Sequence, residues 1–495
     1  SAMVKYFLLV DLDDLEKEGA TRMKNKLAAL KGNVFYGVGA IGLDLSYGLF
    51  YNWLAKYMTD ILHLNKKFLL FLTPIARIWD GINDPMMGVI VDQTNTRFGR
   101  YKPWVIFGST TNAIVLTLIF LTPSVFDLSG GIGIYIYMAI LYVLWGMTNT
   151  TADIPYWSMI PSFTTDPGER NILATIARTF SGLGQGIITI ASPLVYSWLS
   201  HTTNAAGDKV YDVYSYRYWA MICSVLLIGF SVLSMSKVKE VNHVKNNETF
   251  SFKKIFRIIK DNDQLRIFML FAAISNTGWY MISGVAAYYF DVVKGDPDAQ
   301  SLFSFFGAVG SILGLAIIPI MTKFTTKRRT YQFSLALSFV GFVLMAIGGW
   351  VMNNDIVMGI GYLIGSTGIA SMFIAQTIFL ADIVDYGEVK MGYRAESGTF
   401  SMKGFLQKMA YTIETIILFA GLEITKYNEN LHAANDMSVK NAISSMMFIV
   451  PAVCVLLSLI IYTLRFKLHG DYMDQITAEA TKRKAERDSV AAAEK

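Results

Sequence analysis

The chain has 495 residues, 53% of them hydrophobic and 16% charged, with a formal net charge of +5. Soluble domains carry about a quarter charged residues, so this balance excludes an ordinary soluble fold and points to a membrane. The excess positive charge is spread over loops between apolar stretches, which excludes a nucleic-acid footprint gathered on one face.

A membrane-spanning helix needs about 20 mostly apolar residues. The first 33 residues hold DLDDLEKE and then a Lys/Arg-bearing stretch, and they form an N-terminal segment ahead of the spans. Six spans follow near 34–58, 68–91, 104–122, 133–157, 173–197 and 217–236. Residues 237–266, KVKEVNHVKNNETFSFKKIFRIIKDNDQLR, are the longest polar interval inside the chain. Within it, FSFKKIFRIIK has apolar residues at near-helical spacing and a basic face, the pattern of a helix lying on the membrane surface. Six more spans lie near 267–292, 302–322, 331–352, 357–383, 400–424 and 442–466. The tail from Lys467 onward reads as a charged helix or coil too short for a further domain.

These elements predict an all-α polytopic membrane protein. Its N-terminal segment is 1–33, its bundles 34–236 and 267–466, its middle loop 237–266 and its tail 467–495. A β-barrel is excluded, because its strands are only about 10 residues long. Arg97, Arg100 and Lys102 follow span 2, Arg170 follows span 4, Lys323, Lys327, Arg328 and Arg329 follow span 8, and Lys390 and Arg394 follow span 10. Loops of the opposite parity hold fewer bases, so both termini are expected in the cytoplasm of a plasma-membrane protein. Cys223 and Cys454 lie within spans, which argues against a disulfide framework, and the five histidines form no metal-binding cluster. Nothing has the pattern of a cleavable signal peptide, and Ser1-Ala2 ahead of Met3 reads as an added leader.

Charge inside the spans carries the functional signal, because a carboxylate at a helix centre costs about 2.5–3.5 kcal/mol. Asp44 sits among small residues in span 1. In span 2, ARIWDGINDPMMG places Asp80 and Asp84 four residues apart on one helix face. Thr150, Asp153 and Trp157 share a face of span 4, Arg178 opens span 5, and Lys403 and Lys408 enter span 11. Two carboxylates on one face repel unless a cation or proton lies between them. With Thr150 and Asp153 they make an all-oxygen set suited to a hard cation, so Na+ is expected at Asp80 and Asp84. Read separately, Asp80 pairs with Arg77 and Asp84 caps a helix broken before Pro85. Asp44, Asp153, Trp157 and Arg178 form a second group. Its acids and guanidinium match vicinal sugar hydroxyls, and the indole offers a flat surface to a pyranose. Two acids there would repel a sugar acid, so a neutral glycoside is expected.

The segments ARIWDGINDPMMG, RFGRYKPW, WGMTNTTADIPYWSMIP, KDNDQLR and ADIVDYGEVKMGYRAES resemble the glycoside–pentoside–hexuronide:cation symporters of the major facilitator superfamily. The likeness runs from about Gly39 to His469, and the six-plus-six layout agrees with it. It implies inward sugar movement coupled to Na+, Li+ or H+, with no cofactor and in contact with lipid; H+-coupled carriage of a pentoside or hexuronide is the alternative within the family, and a monomer is expected although the sequence leaves the oligomeric state open. It further implies that Asp80, Asn83, Asp84, Thr150 and Asp153 hold the cation. Asp44, Asp153, Trp157 and Arg178 would hold sugar, and Lys408 would couple the two sites. Arg170, Asp382, Asp385, Glu388 and Arg394 would form a cytoplasmic ionic network. The chain departs from the family pattern at Asn149, where an aromatic residue is usual, and at Lys403-Gly404, where Gln-Thr stands; Asn149 and Lys403 are placed with the sugar group. Two other classes compete: an intramembrane hydrolase using Asp80 and Asp84 as acid and base, and a cation channel lined by acids. The hydrolase lacks a nucleophile motif, and the expectation is a transporter rather than an enzyme.

Overall fold

The computed structural model describes residues 20–122, 131–163, 167–203, 209–238, 240, 252–393, 396–427 and 437–493. The first half holds α1 (Ala20–Lys56), α2 (Lys66–Gln93), α3 (Lys102–Phe120), α4 (Ile132–Ser158), α5 (Pro167–Leu199) and α6 (Val213–Lys237). A short helix, α7 (Phe252–Asp261), lies in the middle loop. The second half holds α8 (Asp263–Tyr288), α9 (Ala299–Phe324), α10 (Lys327–Ala346), α11 (Asp355–Met391), α12 (Glu396–Ile424) and α13 (Met437–Arg465). The tail forms α14 (Gly470–Ala493), and Thr202–Thr203 pairs with Lys209–Val210 as a small antiparallel turn.

Each expected span is a long helix, and several helices outrun their apolar cores. The first begins at Ala20 inside the expected N-terminal segment, and α11 continues to Met391, past the 383 read from hydropathy. Hydropathy ends where lipid ends, whereas a helix continues until its backbone is capped. For α11 that cap is Gly392, left-handed at φ 80°, whose N–H returns to the Glu388 carbonyl. Among the described residues ten helices are apolar enough to span on length and composition alone; α2 and α5 are not among them. Those two carry Arg77, Asp80 and Asp84, and Arg178 and Gln185.

Helix pairing repeats between the halves. In the first, α1 packs on α5 and α6, and α4 packs on α2 and α3; in the second, α8 packs on α12 and α13, and α11 on α9 and α10. Lipid removes most of the hydrophobic drive for helix association, so close approach by small residues matters. A Cβ on Gly108 would stand 2.5 Å from the Ala152 backbone nitrogen, and one on Gly341 would stand 2.2 Å from that of Gly365. These contacts join α3 to α4 and α10 to α11, equivalent pairs in the two halves. The halves meet through α2 against α12, α5 against α9 and α1 against α8.

Twelve long helices place the start of α1, the short helix α7 and the tail helix α14 on one face, called here the terminal face. There Glu240 accepts from the backbone N–H groups of Arg100 (2.7 Å), Tyr101 (3.1 Å) and Lys102 (3.1 Å), tying the middle loop to the start of α3. In α7, Ile258 is buried and Phe256 exposed, as an amphipathic surface helix requires. The tail helix α14 buries Met473, Ile476 and Ala480, and Arg483 donates to the carbonyls of Glu388 (2.9 Å) and Val389 (3.2 Å) at the end of α11.

At the opposite, far face, the first helices of the two halves end alike. A π-helical turn, Tyr57–Ile61, follows α1, and another, Tyr289–Lys294, follows α8. These wide turns carry Asp60 and Asp291, and both carboxylates accept from Lys56 Nζ at 2.5 Å. Lys56 is 2% exposed. Tyr427 donates to both oxygens of Asp60 at 3.2 and 3.3 Å, and the hydroxyls of Thr59 and Tyr288 meet at 2.8 Å across the halves. Removing one member of a buried ion pair costs about 3–5 kcal/mol, because the other charge stays buried without it. The Lys56→Met substitution is therefore expected to unseal this face. A cysteine placed at Thr59, with Cys223 and Cys454 replaced, should react with a polar thiol reagent at least about tenfold faster in that variant, as ~1.4 kcal/mol per decade implies. Equal rates would show that the triad does not hold the face shut.

Candidate substrate and cation site

The site forms where α1, α2, α4 and α5 of the first half face α8, α11 and α12 of the second. Chain direction sets the order of its layers. From the terminal face inward, α1 presents Asp44, then Tyr47 and Tyr51, then Lys56, and α12 presents Lys403, Lys408, Tyr411 and Glu414.

Asp80 and Asp84 of α2 point inward and both are partnered. Arg77 donates to Asp80 at 2.7 Å from one turn earlier, and the same nitrogen donates to the Tyr51 hydroxyl. Gly146 of α4 makes room for Asp80, since a Cβ there would lie 2.7 Å from its Oδ1. Asp84 accepts from the Thr150 hydroxyl of α4 at 2.9 Å and from Lys408 of α12. The α2–α4 meeting read from the sequence is therefore present, and a lysine from the other half completes it. Asn83, between the two acids, is 7% exposed and its Nδ2 has no hydrogen-bond partner. Among the described residues no three acidic, histidine or cysteine side chains converge as a metal cluster. Asp80, Asp84 and Asp153 are strung along one seam, each drawn to a different partner.

The second group lies toward the terminal face. Trp157 donates from its indole to Asp153 at 2.8 Å, one helical turn away, and the Arg178 guanidinium lies 3.7 Å over the Trp157 ring. One indole face is thus covered by a cation in this structure rather than open to a pyranose. Asp44 is held by Ser181 of α5, in the field of Asp153 and Arg178, and the absence of a side chain at Gly184 admits it. Asn149 is half-buried beside Thr150. Lys403 donates to the Thr377 hydroxyl of α11 at 2.6 Å.

An aromatic layer backs the site on its far side. Tyr51 lies 4.5 Å from Tyr411, which stacks on Tyr280 at 3.7 Å, and Tyr47 lies 4.2 Å from Tyr51. Beyond it sits Glu414, 4% exposed, with Oε1 unpartnered and Oε2 accepting from Thr415 at 3.0 Å. It fits against Gly284 of α8, where a Cβ would stand 1.9 Å from Oε1. Glu414 was visible as an acid inside span 11, yet the sequence reading did not single it out. The Lys56 triad was missed for a different reason: its members lie near span ends, where charge carries no signal.

Of the residues grouped as a cytoplasmic network, Asp382 is buried and accepts from Lys327 at 2.8 and 3.1 Å, a pairing inside the second half. Asp385 and Glu388 are engaged on the same end of α11. Arg394 and the side chain of Arg170 lie outside the described residues. Nearby, Asp263 accepts from Tyr386 at 2.7 Å and from Lys390.

Two helical bundles around a central seam of charged and aromatic residues define a polytopic transporter. The MFS/sugar transport protein family matches residues 35–470. The chain is 24% identical to the raffinose carrier protein of Pediococcus pentosaceus over 465 residues, spanning 90% of this chain and 71% of the relative. It is 28% identical to the isoprimeverose transporter of Lactiplantibacillus pentosus over 416 residues, 82% of this chain and 83% of the relative. The crystal structure of a D-xylose-proton symporter shares the fold, with TM-score 0.65 and 11% identity over 88% of this chain and 97% of that one. The chain belongs to the glycoside–pentoside–hexuronide:cation symporter family of the major facilitator superfamily, and it is a sugar transporter, not an enzyme.

The Asp84–Lys408 bridge is the central charge tie between the halves, and its side chains are 30% and 28% exposed. Lys408→Met is therefore expected to lower thermal stability by about 1–2 kcal/mol, less than a fully buried pair would lose. The Asp84→Asn/Lys408→Met pair should lose less than the sum of the single variants, as a coupled pair must. Strict additivity in thermal unfolding would show that the bridge contributes nothing.

Proposed function

We propose that the protein imports a glycoside together with a monovalent cation, Na+ or Li+, by alternating access around the central seam. The observation that carries this reading is the position of Asp84. It joins a hydroxyl from α4 to an ammonium from the opposite half, so a cation arriving there must alter the tie between halves. Asp80, Asn83, Thr150 and Asp153 are the companions assigned to the cation, with Lys408 as the group it displaces. Asp44, Asp153, Trp157, Arg178, Asn149 and Lys403 are assigned to the sugar. Asp153 lies in the field of Asp84 and is bonded to Trp157, so it links the two groups. By linkage, sugar must then tighten cation binding by the factor with which the cation tightens sugar.

The names of relatives support a glycoside as cargo, since a raffinose carrier and an isoprimeverose transporter are among them. Positive loops on the terminal face support cytoplasmic termini in the plasma membrane. In that orientation the sealed far face is external, and Asp382, Asp385, Glu388, Arg170 and Arg394 would tie the cytoplasmic ends once the far face opens. A second reading, H+ coupling, is favoured by Glu414, a buried carboxylate with one bare oxygen.

Uptake into proteoliposomes, with Na+, Li+ and pH gradients imposed separately across a panel of α- and β-glycosides, tests both. One cation gradient should raise initial uptake at least about tenfold, and Asp84→Asn should abolish that stimulation. Cation-stimulated uptake surviving in the variant would remove Asp84 from the coupling site.

A further inference from the structure

Two buried groups at the seam are each short of one partner, and they are complementary. Arg77 donates to Asp80 and to the Tyr51 hydroxyl through one terminal nitrogen, while its Nε has no hydrogen-bond partner among the described residues. Glu414 accepts from Thr415 at Oε2, while its Oε1 has none. The Arg77 side chain is 8% exposed and Glu414 4%. A buried donor or acceptor without a partner is costly and is rare in folded proteins. Here a bare N–H belongs to the first half and a bare carboxylate oxygen to the second.

Chain direction puts both at one level. The Asp84–Lys408 contact sets the register of α2, which leaves the far face, against α12, which runs toward it. Arg77 stands seven residues before Asp84 and Glu414 six after Lys408. At about 1.5 Å per residue, they lie about 10 Å and about 9 Å from that contact, both on its far side. Tyr51 and Tyr411, 4.5 Å apart, form the path between them. The guanidinium lies 4.6 Å over the Tyr51 ring, and Tyr411 is one turn before Glu414 on α12. Glu414 lies in the field of Arg77.

We propose that Glu414 is a positioning residue for the coupling cation, the second acceptor of Arg77, to which the guanidinium turns when the cation takes Asp80. This rests on the symport reading and adds a residue to it. In the present state Arg77 occupies Asp80 as a built-in cation. An incoming ion competes with it, because two positive charges on one carboxylate repel. A guanidinium displaced inside the seam with no acceptor would be a buried, uncompensated charge, which is strongly unfavourable. Glu414 supplies that acceptor, and a guanidinium suits a carboxylate through its fork of donors. The far face contains the same device in its shared form, since Lys56 serves Asp60 of its own half and Asp291 of the other. Transfer of Arg77 ties α2 to α12 on the far side of the site while the cation loosens Asp84 from Lys408.

The test titrates Na+ and Li+ into the purified full chain by calorimetry, with thermal unfolding as the check of folding. Glu414→Gln should weaken binding of the preferred ion at least about tenfold, and Glu414→Asp, which keeps a carboxylate, should recover part of that loss. With the built-in cation removed by Arg77→Gln, Glu414→Gln should change the affinity less than about twofold, as coupled residues require. Arg77→Met serves as the background if Arg77→Gln does not fold. An unchanged affinity in Glu414→Gln, or an equal loss with and without Arg77, would overturn the inference. Loss of pH-driven uptake in Glu414→Gln at unchanged Na+ and Li+ affinity would overturn it in favour of Glu414 as a proton carrier. Ion binding that ignores Glu414 thus sinks this inference alone, whereas no Na+ or Li+ binding by the well-folded wild-type chain sinks the Na+ or Li+ symport reading beneath it.

Discussion

A charge inside an apolar span must find a partner, and this requirement organises the centre of the molecule. Neither Asp80 nor Asp84 of α2 is left bare. Asp80 takes a guanidinium from its own helix, and Asp84 takes an ammonium from α12, 324 residues later in the chain. The first pairing stays within one half and holds under rigid-body motion. The second crosses the interface, so its energy depends on how the halves sit. One pair fixes local geometry, and the other reports on global conformation.

The same logic recurs at the far face with opposite bookkeeping. There one lysine serves two acids, one from each half, on the π-turns that end equivalent helices. A π-turn widens the helix by a residue and commonly marks a functional position. Here it carries an aspartate at each half's edge to a shared ammonium. The aromatic layer of Tyr47, Tyr51, Tyr280 and Tyr411 lies between this seal and the charged seam, so entry from the far side requires the tie and the layer to part together.

What the sequence could disclose follows the physics of each signal. Apolar length marked twelve helices because lipid imposes it directly, but helix ends lie in water and are set by caps such as Gly392. The i,i+4 relation of Asp80 and Asp84 and the shared face of Thr150 and Asp153 are properties of one helix each, and both were legible. So was the local alternative for Asp80, an Arg77 partner one turn away, which the structure contains. Contacts between distant helices were not legible from spacing. Lys403 and Lys408 stand out as charges inside span 11, but the partner of neither was legible: Asp84 for Lys408 and Thr377 for Lys403. The local partners of two acids were not legible either: Trp157 donates to Asp153, and Ser181 holds Asp44.

The distribution of charge between the halves gives the proposed coupling its direction. Asp44, Asp80, Asp84 and Asp153 belong to the first half, and Lys403 and Lys408 to the second. With no ligand bound, attraction between these sets pulls the halves together at the seam. Under the proposed coupling, a small cation on Asp84 would replace Lys408 and weaken that attraction, leaving Lys403, Lys408 and Arg178 with less negative charge between them. In the low-dielectric seam such an imbalance is costly. Under the proposed coupling, a carrier loaded with the cation alone would therefore resist changing face.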